Sequence, residues 1–233
     1  MREFAERLKV NRLIHNIVKL PRRTYETIRW RVDPVHRLQM KANRSIRARF
    51  ASERIEQLEQ IPGNTSAREC RLLAYLGMQS PEGGCYVEIG ALFGKSTAWL
   101  VEAAACCSVP RAVVSIDSHL GGTWEGFSQS VEGFSLTDRG LEIRRGLSHD
   151  IAQGWTEPIS FLWIDGSHHY EDVVNDIDDY VPHVIPGGWI VFDDAASELF
   201  SGVAQAIGER MHGRAGIEPV GTIKNFALFR RAA

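Results

Sequence analysis

The sequence lacks several features that would assign it to a class of protein at once. No apolar run approaches the roughly 18 residues that a membrane-spanning helix needs. The N-terminal residues are too charged for a secretory signal, and we therefore expect a cytoplasmic protein. No CxxC motif or Cys/His metal-ligand spacing is present, so we expect reduced, structural cysteines. These cysteines are Cys70, Cys85, Cys106 and Cys107.

The chain also has little net charge, a formal −2, but the charge is unevenly placed. Residues 1–50 hold 14 Lys and Arg against 4 Asp and Glu, whereas residues 51–233 hold 13 against 25. This asymmetry predicts a basic N-terminal arm over 1–50 and one α/β domain over 51–233. Within the arm we expect a helix from Arg2 to Lys19, followed by breaks at Pro21 and Pro34.

A basic amphipathic arm is compatible with several roles. It could act as a lid, pack against a second subunit, lie on an anionic membrane or contact a polyanion. A lid or packing role is favoured, because aromatic residues are sparse there and no nucleic-acid-binding module is visible. A homo-oligomer could form if basic arms pair with acidic bodies, although the same charges could pair within one chain. We expect no nucleic-acid partner.

Strand-like and helix-like runs alternate from Cys85 to the end of the chain. The expected strands are 86–89, 112–116, 141–145, 159–164, 188–192, 217–222 and 225–229. The expected helices are 52–60, 66–76, 96–106, 170–181 and 197–211. The pattern predicts a Rossmann-like α/β fold, a doubly wound and mostly parallel sheet with an antiparallel edge.

Carboxylates follow two apolar strands of this predicted sheet. Asp165 ends the first strand, and Asp193 and Asp194 end the second. Ligands of open α/β sheets bind beyond the carboxyl ends of the strands, where these side chains fall. Three carboxylates there would repel one another unless protons or a cation offset the charge, and Mg²⁺ is a cation suited to oxygen ligands. Each acidic pattern alone could be a turn or a helix cap, but together they favour a functional site.

The segment VEIGALFGKST, residues 87–97, is typical of a strand, a glycine-bearing loop and a helix start. Such a loop lets the backbone approach a ligand, and the helix N-terminus favours negative charge. The segment matches neither GxGxxG nor GxxxxGK[ST], which weakens a dinucleotide interpretation and excludes a P-loop. A nucleoside-type cofactor without pyrophosphate remains. Asp117, at the end of the next strand, could accept hydrogen bonds from both ribose hydroxyls.

Four segments together resemble class I S-adenosylmethionine-dependent methyltransferases: VEIGALFGKST, VVSIDS, FLWIDGSHHY and GGWIVFDD. More narrowly, they are similar to the metal-dependent small-molecule O-methyltransferases. That group includes sugar methyltransferases of macrolide and aminocoumarin pathways and, more distantly, catechol O-methyltransferase. The resemblance covers about Glu69 to Arg230 and does not include the basic arm.

The resemblance implies that S-adenosylmethionine is the cofactor and assigns residues to it. Asp117 would bind the ribose, and Ser148 matches a position near the adenine. The implied cofactor-binding residues are Glu88, Gly90, Ala91, Ser96, Asp117, Ser148 and Asp165.

The resemblance also implies a metal and a base. Asp165, Asp193 and Asp194 match ligands of Mg²⁺ or another divalent cation, and His168 matches the catalytic base, although the adjacent His169 could serve instead. Methyl transfer from a sulfonium leaves a neutral thioether, so the acceptor must supply the nucleophile. A metal ion that lowers the pKa of a hydroxyl, together with a histidine that removes its proton, meets that requirement.

The sequence therefore predicts an Mg²⁺-assisted O-methyltransferase that acts on a hydroxyl of a carbohydrate or glycosylated metabolite. A phenol or catechol acceptor is the nearest alternative. A metal-dependent hydrolase could use the same carboxylates, but it would not need the glycine loop or Asp117. A nonenzymatic binding module would act through the arm instead. An NAD-dependent oxidoreductase would need the dinucleotide fingerprint that the chain lacks.

Residues 119–136 are rich in glycine and aromatic residues and have no clear period. One interpretation is an insertion that shapes the acceptor pocket, with Trp124, Phe127 or Phe134 stacking against a sugar or ring. An ordinary loop pinned by buried aromatic residues is an equally good interpretation. The identity of the acceptor is not fixed by this stretch.

Overall fold

The computed structural model describes residues 34–233. The helix expected from Arg2 to Lys19 lies outside the described residues. The chain divides into two compact units, residues 1–41 and residues 42–233, and the helix at 34–49 contains the division. No helix within the described part is both long enough and apolar enough to cross a membrane.

Eight α-helices and seven strands alternate along residues 34–233. The helices are α1 Pro34–Arg49, α2 Ser52–Gln60, α3 Ala67–Met78, α4 Lys95–Ala105, α5 Trp124–Gly133, α6 Ser148–Ala152, α7 Tyr170–Tyr180 and α8 Ser201–Arg210. The strands are β1 Cys85–Ile89, β2 Val113–Asp117, β3 Leu141–Arg145, β4 Ile159–Ile164, β5 Val184–Phe192, β6 Ile217–Ile223 and β7 Phe226–Arg231. Single 3₁₀ turns lie at Thr137–Arg139 and Val181–His183.

The seven strands form one sheet in the order β3-β2-β1-β4-β5-β7-β6. Strands β1 to β5 are parallel, and β7 pairs antiparallel with both β5 and β6. The prediction of a Rossmann-like, mostly parallel sheet with an antiparallel edge is confirmed. The chain leaves β1 towards β2 on one side and later returns to β4 on the other. This reversal opens a crevice beyond the carboxyl ends of β1 and β4.

The central strands are buried on both faces, as their continuous apolar runs require. Every residue of β4 is buried, and the tyrosine and valine of β1 have no exposed surface. Trp99 of α4 and Trp163 of β4 have no exposed surface, so large side chains fill the layers between sheet and helices. Burial of each Val, Leu, Ile or Phe side chain in these layers contributes roughly 1.5–3 kcal/mol.

Several elements differ from the sequence-based expectation. Helix α1 was not predicted, and α5 lies in the stretch for which no period was visible. In α5 the buried positions are Phe127, Ser130 and Val131, which share one face of the helix. Because one of them is a serine, the hydrophobic pattern of the sequence does not show this face. Strand β5 begins at Val184 instead of Gly188. The residues expected to form a turn before Gly188 belong to the strand, at a point where the register of its pairing with β4 shifts.

Candidate active site

A cavity of about 640 Å³ opens at the carboxyl ends of the parallel strands. Its lining comes from parts of 63–65, 89–96, 116–123, 146–150, 165–176 and 193–194, together with Phe200. The cavity therefore joins the glycine loop and the end of β2 to the acidic ends of β4 and β5. The two halves of the site that the sequence indicated separately face one space.

The glycine loop packs tightly against the end of β4. Gly90 has a φ of 89°, in the left-handed region that favours glycine. A Cβ atom at Gly90 would lie 2.2 Å from the backbone oxygen of Asp165. The loop glycines were expected to let the backbone approach a ligand. At Gly90 the structure gives a different reason, since the neighbouring backbone itself requires the absence of a side chain.

The carboxylate of Asp117 holds the glycine loop in place. Its Oδ2 accepts hydrogen bonds from the backbone N–H groups of Ala91, at 2.7 Å, and Leu92, at 3.0 Å. Its Oδ1 accepts a hydrogen bond from the backbone N–H of His119 at 2.7 Å. Both lone-pair sites of Oδ2 are thus used, Oδ1 keeps one site for a further donor, and Asp117 lines the cavity. Both Ala91 and Ser96, also expected at the cofactor, line the cavity beside it.

Glu88 lies beneath this loop and, within the described residues, is not part of the cavity lining. Its side chain is fully buried, and Oε2 accepts hydrogen bonds from Thr97 Oγ1 at 2.5 Å and Ser115 Oγ at 2.9 Å. Oε1 is buried without a hydrogen-bond partner in this part of the chain. Burial raises the pKa of Glu88 to about 7, against the opposing effect of these hydroxyl donors. The residue therefore lies beneath the glycine loop, and its place among the cofactor-binding residues remains a prediction.

Asp165 and Asp193 form a close pair of carboxyl groups at the ends of β4 and β5. Burial, followed by the charge of Asp193 and a hydrogen bond with it, raises the pKa of Asp165 well above its usual range. Burial also raises the pKa of Asp193, and the Asp194 carboxylate adds to that shift. Two carboxyl groups in this arrangement retain a proton between them unless a cation takes its place.

Asp194 points to a histidine instead of to this pair. Its Oδ2 lies 3.0 Å from Nε2 of His168, and its Oδ1 accepts a hydrogen bond from Nδ2 of Asn225 at 3.1 Å. The imidazole of His168 stacks on the ring of Phe200, with centroids 4.1 Å apart, and both residues line the cavity. His169 is exposed, precedes α7 and, in the described chain, does not reach the lining. The placement favours His168 as the functional histidine.

The predicted metal ligands have the right chemistry for a hard cation, but the three side chains do not converge on one point. Carboxylate oxygens are suitable ligands for Mg²⁺, and the Asp165 and Asp193 pair has the charge that a cation would offset. Nevertheless, no group of three or more His, Cys, Asp or Glu side chains within 34–233 converges as a metal centre does. The structure brings together two of the three predicted ligands and directs Asp194 to His168.

The opposite end of the cavity contains a second buried acid. Ser148, expected near the adenine, lies at the start of α6 and donates a hydrogen bond from Oγ to Oδ1 of Asp176 at 2.5 Å. The hydroxyl of Tyr180 donates to the backbone oxygen of Ser148 at 2.7 Å. Asp176 is 1 % exposed, and burial raises its pKa to about 7. No local pattern distinguishes Asp176 from its neighbours, because it lies within an acidic helix.

The aromatic residues proposed for the acceptor pocket lie elsewhere in the described structure. Phe127 is fully buried, Trp124 packs on the edge of His119, and Phe134 stacks under the guanidinium of Arg54. None of the three lines the cavity. The simpler interpretation, a segment pinned by buried aromatics, is the one that agrees with the structure. The aromatic residue at the cavity is Phe200, which follows the second acidic strand end.

Other lining residues were also absent from the sequence analysis. Asn64 and Thr65 reach the cavity from the segment before α3, whose start is fixed by a capping box between Ser66 and Glu69. The S-x-x-E pattern at 66–69 could have located that helix start, but not its position beside β1. Lys95 is the only Lys or Arg that lines the described cavity.

Comparison with known proteins gives a family match for the central part of the chain. Residues 87–195 match a family described as a methyltransferase domain. An uncharacterised protein of Acanthamoeba polyphaga mimivirus is 30% identical over 115 residues, which are 47% of this chain and 50% of that protein. The chain thus spans about half the length of this curated relative.

Solved structures share the fold at low sequence identity. The O-methyltransferase from Bacillus cereus in complex with SAH has a TM-score of 0.62 and 19% identity, over 81% of this chain and 96% of that chain. The apo structure of CalS11, a TDP-rhamnose 3'-O-methyltransferase of calicheamicin biosynthesis, has a TM-score of 0.57 and 13% identity, over 84% and 92%. The predicted resemblance to class I O-methyltransferases is confirmed at the level of the methyltransferase domain and the fold.

Proposed function

We propose that this protein is an S-adenosylmethionine-dependent O-methyltransferase that acts on a hydroxyl of a carbohydrate or glycosylated metabolite. The observation that carries the proposal is the single cavity of about 640 Å³ that connects the glycine loop and Asp117 to His168 and the acidic strand ends. A methyltransferase needs both halves in one space, because the methyl donor and the acceptor oxygen must meet in line. The match of 87–195 to a methyltransferase domain supports the same activity.

The cofactor half follows from the residues around the glycine loop. A ribose hydroxyl would donate to the remaining lone-pair site on Oδ1 of Asp117, whose carboxylate is already fixed by three backbone N–H groups. The start of α4 has no side-chain cap, and Lys95 and Ser96 of its first turn line the cavity. The negative lining at the other strand ends suits the positive charge of a sulfonium.

The acceptor half follows from His168 and the acid pair. His168 would remove the proton of the acceptor hydroxyl as the carbon–oxygen bond forms and the carbon–sulfur bond breaks. Asp194 contacts Nε2 of the imidazole, and Phe200 packs on one face of the ring. These two contacts fix the direction in which the other ring nitrogen, Nδ1, points. Orientation of this kind contributes to the rate by limiting the geometries in which base and hydroxyl meet.

Mg²⁺ is part of the proposal. Asp165 and Asp193 would hold the ion, with Asp194 as the third predicted ligand. When bound, the ion would supply a positive charge that lowers the pKa of an acceptor hydroxyl. The same ion would also offset the charge of these two carboxyl groups, whose pKa values are raised chiefly by burial and further by neighbouring carboxylates.

The choice of a carbohydrate acceptor has two supports. By the resemblance, His168 matches the position where some of the sugar enzymes have a histidine, and one of the structurally similar proteins is a TDP-rhamnose 3'-O-methyltransferase. The exposed ring face of Phe200 beside His168 is a surface on which a sugar could stack.

The first test is isothermal titration of the purified chain with S-adenosylmethionine and S-adenosylhomocysteine, each with Mg²⁺ and with EDTA. We expect both ligands to bind with micromolar affinity, because the residues of the cofactor half are sufficient for this binding. Absence of binding under every condition would overturn the methyltransferase proposal and leave a metal-dependent hydrolase or a binding module.

The second test is a methylation screen of sugar and phenol acceptors with wild type and the Asp165→Ala variant. Turnover with a sugar, lost on addition of EDTA and lost in the variant, is the expected result. Turnover only with phenols would replace the proposed acceptor class, and turnover undiminished by EDTA would remove Mg²⁺ from the proposal.

A further inference from the structure

The turn between β6 and β7 lies beside the candidate active site, although neither strand lines the cavity of the described chain. Strand β7 pairs antiparallel with β5, and Ala227 lies opposite Phe192, the last residue of β5. Two residues further in this register, Asn225 of the turn faces Asp194. The two residues are 31 positions apart in the sequence, and the antiparallel edge of the sheet brings their side chains together.

Asn225 contacts the segment after β5 twice. Its Nδ2 donates a hydrogen bond to Oδ1 of Asp194 at 3.1 Å, and its backbone oxygen accepts one from the N–H of Ala195 at 2.8 Å. Asp194 has a φ of 49°, a left-handed conformation that is uncommon for residues other than glycine. One residue therefore fixes the side chain of Asp194 and also the backbone that follows its unusual conformation.

The neighbours of Asn225 in the sequence anchor the turn that carries it. Nζ of Lys224 lies 3.1 Å from Oε1 of Glu69, whose other carboxylate oxygen closes the capping box at the start of α3. Phe226 is fully buried and packs against the ring of Trp163, with centroids 4.7 Å apart. Asn225 is itself exposed, but these two contacts hold its backbone in place.

The two oxygens of Asp194 have different partners, and this division determines the state of His168. An ionised carboxylate only accepts hydrogen bonds, so Nε2 of His168, 3.0 Å from Oδ2, must carry the proton of the neutral imidazole. Nδ1 is then the nitrogen without a proton, as a general base requires. If Asp194 turned away, either nitrogen could carry the proton and the ring would lose one of its two orienting contacts.

We infer that Asn225 is a positioning residue of this site. It holds Asp194 against His168 and thereby keeps Nδ1 of the imidazole free to accept the proton of the acceptor hydroxyl. The inference rests on the proposed function, because that function assigns the role of general base to His168. Within the described chain Asn225 is not part of the cavity lining, so it acts through Asp194 and not on a ligand.

Steady-state kinetics of Asn225→Ala and Asn225→Asp, with an acceptor from the methylation screen, provide the first test. Aspartate has the shape of asparagine but lacks the amide donor. We expect both variants to lower kcat by about three- to tenfold, the factor that corresponds to one hydrogen bond, without a change in KM. The affinity for S-adenosylhomocysteine should stay as in wild type. Wild-type kcat in Asn225→Asp would show that the residue only fills space, and it would overturn the inference.

The double variant Asn225→Ala/His168→Gln shows whether the effect passes through His168. Without the imidazole, loss of the amide should lower kcat by less than about twofold, since both substitutions then remove the same interaction. Losses that multiply would indicate an independent structural role and would contradict the inference. Thr222→Ala is the matched control, because Thr222 is an exposed residue of the same hairpin. It should retain wild-type kcat.

A third measurement does not require turnover. Nitrogen-15 NMR of the imidazole in EDTA at about pH 9, where histidines are generally neutral, reports which ring nitrogen carries the proton. The signal that disappears in His168→Gln belongs to His168. We expect Nε2–H alone in wild type and a mixture of both tautomers in Asn225→Ala.

An unchanged tautomer in Asn225→Ala would overturn the inference, whatever the kinetics show. Failure of wild type to methylate every acceptor would instead overturn the proposed function. In that case the tautomer of His168 alone would decide whether Asn225 positions the imidazole through Asp194.

Discussion

His168 and His169 are adjacent in the sequence but differ in what they contact. His168 lies 3.0 Å from Asp194 and stacks on Phe200, whereas His169 is exposed at the start of α7. We predict that His168→Gln lowers kcat by about 10²–10⁴-fold, the usual contribution of a general base, with an acceptor from the screen. The affinity for S-adenosylhomocysteine should not change.

The control for this prediction is His169→Gln, which should retain wild-type kcat. Steady-state kinetics and titration of both variants would separate catalysis from binding. The opposite pattern, a silent change at 168 and a large loss at 169, would transfer the role of base to the second histidine.

The buried carboxyl group of Glu88 should make the free energy of unfolding depend on pH. Its pKa rises from 4.5 to about 7 on folding, because burial disfavours the charged form. Below pH 4.5 the group is protonated in both states; as pH rises towards 7 the unfolded chain ionises first, and folding loses stability. We predict that Glu88→Gln gains up to about 3 kcal/mol relative to wild type between pH 4 and pH 8. Denaturant unfolding at both pH values measures this difference, and parallel pH profiles would contradict it.

At this scale the sequence indicated the residue types well but not their contacts. Asp117, Asp165, His168, Asp193 and Ser148 all reach the predicted cavity, because strand ends in a parallel sheet converge whatever the details of packing. Side-chain direction is a different matter. That Asp194 turns to His168, and that Glu88 lies under the floor, depends on distant partners such as Asn225 and Ser115 that no local pattern reveals.

The contact between the ends of β1 and β4 is an interaction between elements, and Gly90 is the point where it can be tested. A Cβ atom there would lie 2.2 Å from the Asp165 backbone oxygen, in a backbone conformation that strains any other residue. We predict that Gly90→Ala lowers the free energy of unfolding by roughly 2–4 kcal/mol. Chemical denaturation measures the change.

Gly208→Ala is the matched control for this substitution. It lies within α8, and a Cβ atom there would have no neighbour within 4 Å. Alanine is the better helix former, so this variant should gain up to about 1 kcal/mol. If both alanine variants had wild-type stability, the close approach of the two strand ends would not be a constraint on the fold.

Element boundaries were predictable where hydrophobic period and breakers agree. Strand β3 and helix α2 have the expected bounds, and α7 differs by one residue. Helix α5 was not predicted because its buried face includes Ser130, and polar residues on a core face remove the 3.6-residue signal. The predicted strand β5 was too short, because Pro186 and the two glycines after it indicate a turn locally. In the structure, pairing with β4 keeps these residues within the strand.

The whole molecule should respond to its cofactor in a measurable way. A ligand that binds only the folded chain stabilises it, by about 2.7 kcal/mol at a concentration 100 times Kd. For a chain of 233 residues we therefore predict that S-adenosylhomocysteine raises Tm by roughly 5–10 °C at that concentration. Differential scanning calorimetry provides the measurement. NAD at the same concentration is the control and should have no effect, because the loop lacks the dinucleotide fingerprint.

The fold as a whole was the most predictable level. Continuous apolar strands alternating with helices allow few arrangements, and right-handed crossovers reduce these further, so the order β3-β2-β1-β4-β5-β7-β6 agrees with a doubly wound sheet. The distribution of charge was equally plain in the sequence, but its purpose was not. The positive charge of a basic arm indicates only that its partner is negatively charged. The role proposed for residues 1–50 therefore remains a prediction.

The three backbone N–H groups held by Asp117 also determine how quickly a ligand is captured and released. Because the carboxylate fixes Ala91, Leu92 and His119 by contacts within the protein itself, we expect the loop to need no rearrangement before a nucleoside enters. The cost of ordering the loop is met during folding and not during association. Encounter rates should therefore be similar for all ligands of this size, and the residence time of each on the protein should carry the differences in affinity.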